Sequence, residues 1–66
     1  MSRELARRHI ARLGNARTAA LDMASDWEDL DNYMVHRLEE IARLCDEVGD
    51  ELEDAYPGRG RQRKQP

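Results

Sequence analysis

The sequence predicts an all-α fold: a two-helix antiparallel hairpin that dimerises into a four-helix bundle. Three observations predict it. The first 56 of the 66 residues contain no proline and only two glycines, and Leu, Ala, Glu and Arg, all good helix formers, dominate them. No stretch alternates apolar with polar residues as a half-buried strand would. Stepping from Ala6 to Ala55 by four and three residues in turn gives fifteen positions, of which thirteen are apolar. The two exceptions, Arg17 and Asp31, carry opposite charge. Such a heptad-like stripe is the mark of a coiled coil.

The elements follow in order. The first helix is expected over about 3–23. It contains Gly14, which costs about 1 kcal/mol relative to Ala inside a helix and raises the alternative of a three-helix arrangement broken at Gly14-Asn15. The segment Met23-Ala-Ser-Asp-Trp-Glu-Asp-Leu30 then decides between a hairpin and a continuous rod of ~50 residues. Ser25 with Glu28 has capping-box spacing, and Asp26, Glu28 and Asp29 would place anions in a first turn, where the helix dipole favours them. This start signal predicts a reversal at Ala24–Asp26 and a second helix over about 26–56. Pro57 cannot continue that helix, and it disfavours helical geometry at Tyr56. Residues 1–56 thus form one helical hairpin domain. Residues 57–66 hold no apolar residue to bury and are expected to be a disordered basic tail.

A reversal at Ser25 makes residues whose numbers sum to about 51 face each other. Leu13 would meet Leu38, Ile10 would meet Ile41, and Ala6 would meet Cys45. Arg17 would come within reach of Asp31, an ion pair that sets register more than it adds stability. Val35 and His36 would point outward, and Trp27 would sit one turn into helix 2. The second helix would be ~46 Å long against ~31 Å for the first. It would therefore overhang beyond about residue 47.

Charge is segregated. Residues 1–24 carry five arginines against two acids, residues 25–56 carry twelve acids against Arg37 and Arg43, and residues 57–66 carry four bases. Glu39–Arg43 has the spacing of an i, i+4 pair. A 66-residue chain buries a modest fraction of its surface, and Cys45 is its only cysteine, so no disulfide framework supports it. Association is the expected source of extra stability. The expected dimer or partner-binding residues are Trp27, Leu30, Tyr33, Met34, Leu44, Val48, Leu52 and Tyr56. Trp27 and Tyr33 stand out because aromatic side chains are frequent interface hot spots.

Several classes are argued against. The N-terminus alternates charge with apolar residues and has no signal-peptide core, and no run approaches the ~18 apolar residues of a membrane span. With its lone thiol, the chain is expected in the cytoplasm. Hydroxyls are few, and no nucleophile–base arrangement can be assembled, so the chain is expected not to be an enzyme. No cofactor, metal or small-molecule substrate is expected; His9 and His36 lack converging partners. A basic surface of Arg3, Arg7, Arg8 and Arg12 with tail residues Arg59, Arg61, Arg63 and Lys64 could neutralise phosphates. There is no recognition-helix motif, zinc finger or stacking platform.

In size, two-helix plan and charged tail, the chain resembles the small dimeric helical-hairpin regulators of plasmids and phages, among them copy-number regulators that bind paired RNA loops. The likeness is of scaffold, no motif matches residue by residue, and scaffold does not imply function. The expected role is a small non-enzymatic regulator or inhibitor that docks on and occludes a partner protein. The alternatives are a dimeric bundle binding RNA or DNA through helix 1 and the tail, and a structural assembly subunit.

Overall fold

The computed structural model describes residues 2–57. Two α-helices, α1 (Ser2–Asp26) and α2 (Asn32–Ala55), pack antiparallel along their lengths. The continuous rod and the three-helix arrangement are both excluded: the chain reverses once, and α1 runs unbroken through Gly14. An added Cβ at Gly14 or Gly49 would meet nothing within 4 Å, so neither glycine is required by close helix approach. The expected disordered tail falls, beyond Pro57, outside the described residues.

The reversal lies later than the sequence signal suggested. Ser25 and Asp26 belong to the last turn of α1, and the Ser25–Glu28 capping box does not form. The strong helix formers Ala19, Ala20, Leu21, Met23 and Ala24 carry α1 past the signal. The helix then winds off through short-range bonds, Trp27 N–H to Ala24 C=O at 3.0 Å and Glu28 N–H to Ser25 C=O at 3.3 Å. Trp27 is in the connection rather than in α2, and its carbonyl accepts from Leu30 N–H (3.0 Å) and Asp31 N–H (2.9 Å). Asp31 caps α2. Its backbone is extended (φ −154°, ψ 101°), and its carboxylate accepts from the N–H of Tyr33 at 3.0 Å and of Met34 at 3.4 Å. That geometry satisfies two of the first N–H groups of α2, which have no partner within the helix.

Moving the pivot changes lengths and register. The helices have 25 and 24 residues, so α2 has no overhang. Facing residues sum to about 58, with Leu13 beside Cys45 and Ile10 beside Gly49. Arg17 reaches past that level to pair with Asp46, Nε lying 3.0 Å from each carboxylate oxygen, and does not pair with Asp31. On α2 the observed ion pair is Arg37–Glu40 at 2.6 Å, in place of the expected Glu39–Arg43. Val35, expected outward, is buried in a cluster with Ala24 and Leu38, whereas Ile41, expected in the seam, is 48 % exposed.

The core is thin. Its buried residues are Ala6, Ala20, Ala24, Val35, Leu38 and Ala42, four of them alanine. Among the described residues no large side chain is fully buried and no polar side chain is buried. Alanine lets the helices approach closely, but each buried alanine removes little apolar area from water.

Candidate interaction surface

Three surfaces are built from this frame. The first is the turn end. Trp27 is 38 % exposed, Leu30 75 % and Tyr33 67 %, and exposed Met23 precedes them in the last turns of α1. Asp26, Glu28, Asp29 and Asp31 surround these apolar groups in sequence. Only Asp31 has a structural role among these acids, as the cap. Asp26 stands at the C-terminal end of α1, where the helix dipole disfavours an anion by about 0.3–1 kcal/mol.

The second surface is an open groove of about 770 Å³ along one side of the hairpin. His9, Arg12, Leu13 and Ala16 of α1 and Val48 and Leu52 of α2 line it. At about 100° per residue, Leu5 and Met23 fall in the same sector of α1 as His9, Arg12 and Ala16. Ile41 shares the sector of Val48 and Leu52 on α2, with Leu44 at its outer edge. Leu5, Met23, Ile41, Leu44 and Val48 are all exposed. The opposite side differs in character: Ile10, Gly14, Cys45 and Gly49 meet Asp46, Asp50 and Glu53 there.

The third surface is charged. Arg3, Arg7, Arg8 and Arg12 are exposed on the first half of α1, and none forms an ion pair within the described residues. Alongside runs the acidic second half of α2, with six carboxylates from Asp46 to Asp54 and no base.

Of the residues singled out from sequence, Trp27, Leu30 and Tyr33 come together at the turn end. Leu44 and Val48 lie exposed along α2, while Met34 and Leu52 are half-buried. Tyr56 is exposed at the C-cap of α2, its N–H donating to Leu52 C=O at 2.8 Å. Arg59, Arg61, Arg63 and Lys64 lie outside the described residues. The sequence reading missed Leu5, Met23, Ile41 and Ala16 as surface-forming residues; placing the pivot at Asp31 would have revealed them. Among the described residues, no three His, Cys, Asp or Glu side chains form a group able to hold a metal ion, and no helix is long and apolar enough to cross a membrane. Comparison with protein-family models, with curated proteins and with solved structures finds no match.

Proposed function

We propose that this chain is a small non-enzymatic regulator or inhibitor that works by association: it dimerises into a four-helix bundle and docks on a partner protein, occluding it. The observation that carries the reading is the turn end. Trp27, Leu30 and Tyr33 stay exposed there amid three acids that the fold does not use. Aromatic side chains are frequent anchors of interface hot spots, and the acids favour a partner with a basic rim. Association also supplies the buried area that six core residues leave wanting. The single thiol Cys45 suits the reducing cytoplasm.

The test is capture followed by reconstitution. A protein captured by the wild-type chain should bind it again when both are pure. Trp27→Ala with Tyr33→Ala should weaken that binding at least tenfold, about 1.4 kcal/mol, with the helical circular dichroism unchanged. Equal binding by the double variant overturns the assignment to the turn end. A second reading rests on Arg3, Arg7, Arg8 and Arg12 of α1, which form no ion pair among the described residues and would suit RNA or DNA phosphates. A gel shift whose affinity falls steeply with salt, and weakens on Arg7→Ala and Arg8→Ala, would favour that reading.

A further inference from the structure

Resting on the proposal that the chain dimerises, we infer which face a second copy covers and how it lies. The groove side is the dimer face, and α1 of one protomer lies over α2 of the other with both turn ends together. Size comes first. The hairpin face is ~37 Å long, from 25 residues at 1.5 Å each, and about 20 Å wide. That footprint approaches the roughly 800 Å² per partner of a standard interface. The groove side also carries the exposed Leu5, Met23, Ile41, Leu44 and Val48, whereas the opposite side presents Asp46, Asp50 and Glu53.

Thickness and charge then select the arrangement. Midway along this face α1 offers Ala16 and α2 offers Ile41, Leu44 and Val48. Laying α1 over α2 of the partner subunit sets small against large midway along the face, as close packing requires. The end-for-end alternative stacks Leu44 on its own copy, large against large. It also brings the two Arg12 side chains close together. With turn ends together, residues of the two chains that sum to about 59 share a level. Arg8 then faces Glu51 of the partner subunit, and Arg12 faces Glu47 of the partner subunit. Asp22, an acid on that edge of α1, faces Arg37 of the partner subunit. These three matched pairs, repeated by the two-fold axis, engage Arg8 and Arg12, which pair with no carboxylate among the described residues. Complementary charge across an interface fixes orientation more than it adds affinity.

The experiment combines mass, charge reversal and one distance. Light scattering of the wild-type chain should give twice the mass of one chain. Arg8→Glu with Arg12→Glu should raise the dimer dissociation constant at least tenfold. Glu47→Arg with Glu51→Arg should do the same. All four changes in one chain should restore the wild-type constant. Spin labels on Asp29→Cys, in a Cys45→Ser background, should lie within about 25 Å of each other, because the turn ends adjoin; end-for-end pairing would put them ~40 Å apart. A wild-type chain that stays monomeric at every concentration overturns the association itself. A dimer with labels ~40 Å apart, or one that the fourfold reversal fails to restore, overturns only this face and orientation. A charge-reversed pair that dimerises as the wild type does would also overturn it.

Discussion

The carboxylate of Asp31, more than any other single group, determines where α2 begins. It accepts two backbone N–H bonds from an extended residue, the geometry that makes Asp a favoured N-cap. Ser25 has the same kind of side chain and a Glu three residues on, yet it lies within the last turn of α1. Asp31→Ala should therefore cost about 1 kcal/mol, the usual loss for removing a cap. Ser25→Ala should stay within about 0.5 kcal/mol, as exposed substitutions away from special features do. Urea unfolding of the two variants at one protein concentration checks both. A larger loss at Ser25 than at Asp31 would mean that the reversal belongs one turn earlier. The Arg17–Asp46 pair offers less leverage on stability, because both side chains are about half exposed and solvent screens them.

At the level of the helices, the stripe of apolar residues was legible and its pairing was not. Leu13, Leu38, Cys45, Ala6, Ala20 and Ala24 all belong to the heptad-like pattern, and each is buried or half-buried. Shifting the sum of facing residues from about 51 to about 58 moves the hairpin by one heptad. A seven-residue repeat accepts such a slip with little penalty, since like positions still meet. Two competing caps differ by little more than about 1 kcal/mol, so local signals could not settle the slip either. The contact between the helices settles it, and Val35 and Ile41 record the outcome. Val35→Ala should cost about 1.5–2 kcal/mol, since roughly two buried carbon groups at about 0.8 kcal/mol each leave the cluster with Ala24 and Leu38. Had the earlier pivot held, Val35 would face water and the same change would cost under about 0.5 kcal/mol. Thermal unfolding of Val35→Ala beside an Arg43→Ala control on the same helix measures the difference. The turn-end site was legible as residues, Trp27 and Tyr33, because bulky aromatics in a chain with 5 % aromatic content are conspicuous. Its geometry is hidden because the capping signal at Ser25 places Trp27 inside a helix that begins only at Asn32.

For the molecule as a whole, the decisive quantity is how its stability depends on its own concentration. A hairpin whose buried residues are four alanines, one valine and one leucine has little apolar area to set against the entropy of ordering some 50 residues. If folding and pairing are one event, mass action makes stability rise with protein concentration. A tenfold increase then adds about 1.4 kcal/mol per dimer. With an unfolding entropy of about 2.1 cal/mol/K per residue and roughly 110 ordered residues in two hairpins, that increase raises Tm by about 6 °C. Across a hundredfold range the midpoint should climb by about 12 °C, while the shape of the helical spectrum before the transition stays constant. Charge reversal on α1 alone should flatten the slope by weakening pairing, and the fourfold reversal should restore it. A midpoint that holds steady over that range would mean that the thin alanine seam suffices by itself. The apolar groove beside His9 and Val48 would then be left open in the folded monomer.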